Sequence, residues 1–453
     1  MRAVDEKGIA RYTRRDFMKA GFVFGVGAPA LAAGYAAVPD VFARAVFDAK
    51  QAGVVNDRVL VMIQLGGGND GLQTVIPLSN TRFRDLRPTL GAVADKALPI
   101  TSDLGLNANL AGIKKLYDAG KVAIVQGVGY PQPSFSHFDS IRVWETADPT
   151  RRQQDGWLGK TIATNYDSAG HPLVGCACGT TSVPGALHDL QATLTVIQDQ
   201  TTFKFQGGDN VEQVMGALYT GTPGIYGALF DTAMTTVRDT VAQLRTSAAQ
   251  YTPKAAYSDK QQLVYSSKNQ LAAALSLAAE LIVTGSGVKI LHVTLGGFDT
   301  HYTELNRHDD LMAYLDSAVS AFYADLAAYG MSDRVLVATW SEFGRRPNEN
   351  ASAGTDHGTA APVFLIGDPV KGGLYGQAPD VNKLDTLGNL GYAVDFRAVY
   401  QEILGSHLGV SGRDILGQTF DRIPFVRDPA KSASTNGALV NAAGAPLPGR
   451  NSA

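Results

Sequence analysis

Acidic residues and histidines recur in this sequence beside short apolar runs that predict buried β-strands. The residues in question are Asp70, Asp299, His301, Glu342, Asp356 and His357. Parallel strands end at one edge of a sheet, so side chains that follow several such strands meet at that edge, where ligands commonly bind. Carboxylate and imidazole groups together suit a divalent cation such as Zn, Mn, Mg or Ca. The pattern predicts a metal site at this edge, because so many carboxylates would otherwise resist ionisation.

Two serines, Ser134 and Ser136, lie where a nucleophile could stand. They follow an apolar run at residues 121–126, and a helical pattern begins at Ser136. A helix N-terminus favours an anion because its dipole is positive there and its N–H groups are free. Either serine is therefore a candidate catalytic nucleophile, although serine at such a position is also a common helix N-cap. His137, the next residue, is a candidate base, metal ligand or structural neighbour.

Further charged side chains widen the candidate site. Arg345 and Arg346 could neutralise the nearby carboxylates, or they could bind an anionic substrate through paired hydrogen bonds. We count Arg345 among the catalytic candidates. His308 and Asp309, on a helix predicted over residues 306–329, are alternative metal ligands.

The strands and helices that must position these side chains are predicted to form an α/β domain over residues 54–425. Apolar runs alternate with helical patterns, which is typical of a doubly wound, mostly parallel sheet. The turn GGGNDG after the first run brings Asp70 to the end of that strand, where it could instead cap a helix or form an Asx-turn. Residues 172–285 interrupt the alternation and are expected to form a mixed α+β insertion. Residues 429–453 are predicted to be a disordered or surface tail.

The N-terminal residues predict export. Thr13 to Lys19 match the twin-arginine (Tat) pattern, and a charge-free stretch and an Ala-Arg-Ala site ending at Ala45 follow. We expect residues 1–45 to be a Tat signal peptide that engages the Tat translocase. The mature protein is then expected in the periplasm or outside the cell, with no integral membrane segment.

Composition excludes some classes of function. The chain of 453 residues is 45% hydrophobic and 18% charged, which is ordinary for a globular protein. The first 45 residues hold seven Lys/Arg and four Asp/Glu, so their removal changes the net charge from −3 to −6. An acidic protein without a basic stripe is a poor nucleic-acid binder. Cys176 and Cys178 are expected to be two small residues on one face of a strand, because a disulfide across one residue is strained.

The order of the chemical groups resembles that of the alkaline phosphatase superfamily. In that fold a metal-binding Asp follows the first strand, a Ser or Thr nucleophile starts a helix, and an Asp/His pair, an acidic strand end and a His before a strand come later. The matching residues are Asp70, Ser136, Asp299, His301, Glu342 and His357. The resemblance implies an alkaline-phosphatase-like sheet and a metal-dependent reaction. We expect Asp356, the residue before His357, to orient it. Glu342 stands where the superfamily generally has Asp, and Phe343 where His usually follows.

A second resemblance is to a family of exported bacterial proteins, domain of unknown function 1501. It covers about residues 55–410 by the order of its motifs. The motifs here are the twin-arginine leader, GGGNDG, GVGYP followed by SHF and a Trp, GGFDTH, SEFGR and the later Asp-His pair. The family's name specifies no activity.

Two functions follow from these observations. The first is an exported metal-dependent hydrolase of phosphate or sulfate esters, with a serine nucleophile and a small-molecule or polymer-borne anionic substrate. The second is a catalytically inactive exported binding or assembly protein that retains the fold, since a fold does not carry function with it.

Overall fold

This computed structural model describes residues 57–198, 225–258 and 269–427. The predicted signal peptide and C-terminal tail lie outside these residues. No helix among the described residues is long and apolar enough to cross a membrane.

The strands, in chain order, are β1 (Val59–Gly66), β2 (Val75–Pro77), β3 (Leu98–Pro99), β4 (Leu104–Leu106), β5 (Val122–Gly129), β6 (Gly175–Cys178), β7 (Thr195–Ile197), β8 (Ile290–Gly296), β9 (Val335–Trp340), β10 (Arg345–Glu349), β11 (Thr355–His357), β12 (Ala361–Ile366), β13 (Gly373–Gly376) and β14 (Val394–Asp395). The helices are α1 (Gly71–Thr74), α2 (Thr81–Leu86), α3 (Ala111–Asp118), α4 (His137–Thr146), α5 (Trp157–Asn165), α6 (Ile225–Gln250), α7 (Gln270–Val283), α8 (Glu304–Ala328), α9 (Phe396–Glu402) and α10 (Gly412–Leu416). A π-helical turn, Ile403–Leu408, continues α9.

The central sheet is mostly parallel, as predicted. Its strand order is β13-β5-β12-β9-β1-β8-β6-β7, and β14 pairs with β5 at one end. β12 is antiparallel to both of its neighbours, whereas β1 runs parallel to β8 and β9. Because β12 runs the opposite way, the residues before it lie at the same edge as the residues that follow β1, β8 and β9.

Helices cover both faces of the sheet, so the prediction of a doubly wound α/β fold is confirmed. Along β1, Val61 and Ile63 belong to a core packed with α3, α7 and α8, and Leu60 and Met62 belong to a second core packed with α4, α5 and α9. This alternation is the period-two pattern of a strand buried on both faces. Each such buried side chain stabilises the fold by about 1.5–3 kcal/mol.

The segment at residues 172–285, expected as an insertion, supplies parts of the central domain wherever it is described. β6 pairs in parallel with β8, and β7 pairs with β6, so both extend the main sheet. α7 packs in the first core beside α8. Cys176 and Cys178 are buried free thiols in that same core, and burial raises the pKa of Cys178 to about 12.

One histidine is buried in the middle of the sheet. His292 in β8 lies opposite Met62 of β1, and its ring centroid is 6.4 Å from that of Trp340. Neither ring nitrogen has a hydrogen-bond partner among the described residues. Burial lowers the pKa of His292 to about 4, because a charged imidazole would be poorly solvated there.

We expect His292→Leu to reduce the acid sensitivity of folding. As the pH falls from about 6.5 towards 4, the unfolded chain binds a proton at His292 that the native protein does not bind. Each pH unit within that window therefore removes about 1.4 kcal/mol from the free energy of unfolding. Urea denaturation at pH 7 and pH 5 should show a loss smaller by about 2 kcal/mol in the variant.

The control is His188→Gln, since the His188 side chain is half exposed. It should lose as much stability on acidification as the wild type. Equal losses in His292→Leu and the wild type would contradict the prediction.

Candidate metal centre

Three histidines form a row at the carboxyl edge of the sheet. His137 begins α4, His301 follows β8, and His357 ends β11 just before β12. The ring centroid of His357 lies 4.5 Å from that of His137 and 4.6 Å from that of His301. The topology of the sheet thus gathers side chains that are up to 220 residues apart in sequence.

The row packs against a buried ring. Phe343, which is 1% exposed, lies with its ring centroid 4.8 Å from that of His137 and 4.5 Å from that of His357. Phe343 therefore holds two imidazoles in place by contact. It contributes no ligand atom of its own.

The Nε2 atoms of the row surround one oxygen, Oδ1 of Asp299. The distances from this oxygen are 3.5 Å to His137, 3.2 Å to His301 and 3.4 Å to His357. The Nε2 atoms of His301 and His357 are 2.9 Å apart. Ligand atoms that share a tetrahedral zinc ion lie roughly 3.3 Å from one another. His137, Asp299 and His357 also form a group whose ligand atoms all lie within 4.8 Å of one another.

The opposite nitrogen of His137 faces Glu342. Oε1 of Glu342 lies 2.8 Å from Nδ1 of His137, and it also accepts a hydrogen bond from the backbone N–H of Gly67 at 2.9 Å. The Glu342 side chain is fully buried. Nδ1–H therefore donates to this carboxylate, so that the neutral form of the ring carries its lone pair on Nε2.

His357 is oriented in a similar way, whereas Nδ1 of His301 makes only a longer contact with a carboxylate. Nδ1 of His357 lies 2.7 Å from the carbonyl oxygen of Phe135, and Nδ1 of His301 lies 3.5 Å from Oδ1 of Asp356. An acceptor at Nδ1 fixes the tautomer that leaves Nε2 free to bind a metal. The Asp356 carboxylate, which we expected to orient His357, thus contacts His301, and Nδ1 of His357 faces the carbonyl oxygen of Phe135.

Arg345 forms a hydrogen-bonded ion pair with Asp299. Its side chain is fully buried and donates to Oδ1 of Asp299 at 2.8 Å. Burial opposes ionisation of Asp299, but the hydrogen bond and charge of Arg345 outweigh it and lower the pKa of this carboxyl to about 2. Arg345 also donates to the carbonyl oxygens of Gly67, Gly68, Phe298 and Thr355. Arg345 therefore does not reach solvent, and Arg346 is the more exposed of the two arginines.

Asp70 lies outside the histidine row, in a buried ion pair. It caps α1, where Oδ1 accepts from the N–H groups of Leu72 and Gln73, and Oδ2 lies 2.6 Å from Nη1 of Arg87. Burial opposes its ionisation, but the charge of Arg87 lowers the pKa of Asp70. The capping alternative considered for Asp70 thus matches its position in the structure.

A second carboxyl, which the sequence did not single out, accompanies Asp70. Glu304 at the start of α8 is fully buried and accepts a hydrogen bond from Thr355 Oγ1 at 2.5 Å. Burial and the charge of Asp70 raise the pKa of Glu304 well above its ordinary value. The signal in the sequence was an acid in the first turn of a helix, which normally indicates a solvated residue.

The alternative ligands belong to this buried region as well. Nε2 of His308 lies 3.0 Å from Oδ1 of Asn69, and burial lowers the pKa of His308 to about 4. Asp309 accepts a hydrogen bond from Asn107 at 2.9 Å. The structure does not group either residue with the histidine row.

The two serines differ in what their hydroxyl groups contact. Ser134 Oγ donates to Asp139 at 3.2 Å and accepts from the backbone N–H of Ser136 at 3.2 Å. Ser136 is the N-cap residue of α4, but its side chain makes no capping hydrogen bond, and the residue is exposed. Ser134 therefore stabilises the start of α4, whereas the hydroxyl of Ser136 does not take part in capping the helix.

The structure thus combines a mostly parallel α/β sheet with a histidine–carboxylate cluster at its carboxyl edge. The chain belongs to the family described as protein of unknown function, DUF1501, whose model matches residues 123–404, more than half of its length. No curated protein matches the sequence.

Several solved structures resemble this one. The PsFucS1 sulfatase from Pseudoalteromonas sp. is 10% identical, with 86% of this chain and 77% of that chain covered and a TM-score of 0.38. An alkaline phosphatase superfamily protein from Vibrio parahaemolyticus is 9% identical, with 72% and 64% covered and a TM-score of 0.32. The lipoteichoic acid synthase LtaP from Listeria monocytogenes is 11% identical, with 91% and 80% covered and a TM-score of 0.30. Similarities at this level say nothing about the reaction.

We expect Arg87→Met to destabilise the fold strongly. Arg87 and Asp70 are both fully buried, so removing the guanidinium leaves a carboxylate without its cation. Breaking such a pair costs about 3–5 kcal/mol. The double variant with Asp70→Asn should lose less than the sum of the single variants, as measured by urea denaturation.

The matched control is Arg84→Met, because Arg84 makes an exposed ion pair with Asp95 at 2.8 Å. It should cost less than about 1 kcal/mol. If Asp70→Asn left stability unchanged but removed bound metal, Asp70 would be a ligand and its structural role would be wrong.

Proposed function

We propose that this chain is an exported, metal-dependent hydrolase of phosphate or sulfate esters. One observation carries the proposal. Three imidazoles present Nε2 atoms 3.2–3.5 Å from a single carboxylate oxygen, and two of them, His137 and His357, make a hydrogen bond at Nδ1. Imidazoles fixed in this way are typical of metal ligands.

The residues present fit a divalent cation. His137, His357 and Asp299, whose ligand atoms all lie within 4.8 Å of one another, would hold it. His301, whose Nε2 lies beside Asp299 and His357 but outside that group, would add a third nitrogen, and such a set favours zinc or a similar borderline metal. When bound, the metal would supply a Lewis acid for an ester oxygen. Arg345 keeps Asp299 ionised for this purpose.

Glu342 acts in this proposal as a positioning residue. The sequence alone suggested a direct metal ligand, but Oε1 of Glu342 contacts Nδ1 of His137 and the N–H of Gly67. Its carboxylate holds the imidazole plane and increases the basicity of Nε2. Asp356 would do the same for His301.

Ser136 is the preferred nucleophile. Its hydroxyl is exposed, makes no capping bond, and precedes the metal-site residue His137 in the chain. Attack by Oγ on phosphorus or sulfur would form a serine ester as the alcohol departs with a proton, and water would then release the acid. The N-terminus of α4 would stabilise the negative charge of the transferred group.

The twin-arginine leader supports export, which would allow the metal to be loaded before translocation.

The alternative, an exported binding or assembly protein, is favoured by one specific observation. Asp70 and Arg345, expected to bind a metal and an anion, are both buried in contacts with the protein itself. Without Asp70 and Arg345, the site has fewer groups that could bind a metal or the anionic part of an ester. A screen of phosphate and sulfate esters without turnover, together with a stable partner in pull-down, would support this alternative.

We expect the full chain, purified without chelator, to contain a stoichiometric divalent ion by mass spectrometry. His137→Ala and His357→Ala should lose the ion, and Glu342→Gln should weaken metal affinity by about 10–100-fold. Chelation should lower the thermal midpoint of the wild type, because the metal binds only the folded chain.

His188→Ala is the control and should retain the ion, because its half-exposed side chain pairs with Asp155 rather than with the histidine row. A wild-type protein free of metal would overturn the metal site. Unchanged metal affinity in Glu342→Gln would overturn only the positioning role.

We expect Ser136→Ala to reduce ester hydrolysis by on the order of 10³-fold or more while metal content stays unchanged. Ser134→Ala should have a smaller effect, because Ser134 acts on the helix start. Release of nitrophenol from 4-nitrophenyl phosphate and 4-nitrophenyl sulfate measures both. Full activity in Ser136→Ala would show that another group, such as water, attacks the ester.

A further inference from the structure

A buried hydrogen-bond network fixes the segment that connects β5 to α4. Tyr130 and Ser140 are 3% and 0% exposed, and their side-chain oxygens lie 2.8 Å apart. The Tyr130 hydroxyl accepts a hydrogen bond from the backbone N–H of Ser134 at 3.0 Å. Ser140 Oγ donates to the carbonyl oxygen of Ser134 at 2.5 Å. Both backbone groups of Ser134 are therefore held by side chains from inside the protein.

The direction of each hydrogen bond in this network follows from the number of protons. A serine hydroxyl has one proton to donate, and that of Ser140 is directed to the carbonyl oxygen of Ser134. The Tyr130 O–H group therefore donates to Ser140 Oγ, while its oxygen accepts from Ser134. These groups satisfy one another, and the network specifies one arrangement of the segment because an unpaired buried polar group is costly.

The residues that follow Ser134 connect this network to the histidine row. The carbonyl oxygen of Phe135 lies 2.7 Å from Nδ1 of His357 and orients that ring. The backbone N–H of Ser136 donates to Ser134 Oγ at 3.2 Å, and the carbonyl oxygen of Ser136 accepts from the N–H of Ser140 at 2.9 Å. The main chain of Ser136 is thus held on both sides, whereas its hydroxyl makes no capping hydrogen bond.

The sequence around Tyr130 restricts the segment further. Pro131 and Pro133 limit the backbone at two of the three residues before Ser134, because the proline ring fixes φ. The ring of Tyr130 packs edge-on against that of Phe396 in α9, with the centroids 6.0 Å apart. The end of the GVGYP motif therefore forms a rigid support at the carboxyl end of β5.

We propose that Tyr130 is a positioning residue of the candidate metal centre, and that it acts through Ser134 on both His357 and Ser136. The inference rests on the proposed function and deepens it, because it assigns the group that holds the nucleophile in place. A misplacement of about 1 Å can slow a reaction by about 100-fold, so the fixed main chain matters for attack by Ser136. The Tyr130 hydroxyl is hydrogen-bonded to Ser134 and Ser140, and it contributes geometry rather than chemistry.

The test is Tyr130→Phe in the zinc-loaded full chain, which removes the hydroxyl and keeps the ring that packs against Phe396. For 4-nitrophenyl phosphate or sulfate, kcat should fall about tenfold with KM unchanged, because the ester still binds but the attacking hydroxyl is misplaced. Zinc affinity, measured by competition with a chelator, should fall about two- to fivefold, less than the 10–100-fold loss expected when a group that contacts a ligand is removed. Ser140→Ala should act in the same direction, since it releases the carbonyl oxygen of Ser134.

Tyr323→Phe is the matched control. The hydroxyl of Tyr323 donates to Asp368 at 2.8 Å. Asp368 lies just beyond the end of β12, which is antiparallel to β9, so this hydrogen bond is at the opposite edge of the sheet. Urea denaturation should show a loss of stability in both tyrosine variants, whereas kcat and zinc affinity should change only in Tyr130→Phe.

Different results would overturn the positioning role and the proposed function. If Tyr130→Phe and Ser140→Ala lose stability but keep the wild-type kcat and zinc affinity, the network is only structural and the positioning role is wrong. If wild-type protein that binds zinc hydrolyses neither ester, the proposed function fails and zinc affinity decides the role of Tyr130: a loss in the variants supports it, and no loss overturns it. If the wild type binds no zinc, the metal centre and this inference fail together.

Discussion

The site depends on the burial of one guanidinium group. Arg345 has no access to solvent, so each of its donors must find an acceptor in the protein. These acceptors come from three separate segments: the turn after β1, the turn after β8, and β11. The cost of desolvating an arginine therefore forces three loops into a fixed relation. The histidines and Asp299 on those loops acquire their positions as a consequence.

Glycine makes that relation possible. Gly67 and Gly68 have φ angles of 120° and 84°, which direct their carbonyl oxygens towards Arg345. A Cβ on Gly67 would lie 2.4 Å from the backbone nitrogen of Asp299. No other residue type allows this approach, because the conformation is strained for a residue with a Cβ and the space is occupied. The run of glycines after β1 is thus a packing requirement of the site rather than a phosphate-binding loop.

The sequence was sufficient for much of the fold. Apolar runs predicted β1, β5, β8, β9 and β12, because strands buried on both faces are nearly continuous in hydrophobicity. It also indicated that Asp299, His301 and His357 meet, since the ends of parallel strands share an edge. β6 and β7 were not recognised as strands of the same sheet, because each is only three or four residues long and the sheet edge imposes little pattern.

The directions in which the side chains of the site point could not be predicted from the sequence. Asp70 and Glu342 both follow strands at the edge predicted to hold the metal site. The carboxylate of each, however, contacts another side chain of the protein. Asp70 forms an ion pair with Arg87, which lies 17 residues later in the chain, and no periodicity in the sequence links the two residues. Glu342 turns towards His137, 205 residues away. Such pairings depend on which donors are buried nearby, and this is fixed only when the tertiary structure is complete.

The position of Glu342 connects the stability of the site with its chemistry. Its carboxylate is fully buried and accepts hydrogen bonds from the N–H of Gly67 and from His137. An ionised carboxylate in such a place needs a compensating positive charge. The imidazole of His137 connects this carboxylate to the histidine row, because Nε2 of the same ring lies 3.5 Å from Asp299. The proposed metal ion, bound at Nε2 of His137, would interact electrostatically with the Glu342 carboxylate through the imidazole. Metal binding would therefore also reduce the electrostatic cost of burying this carboxylate.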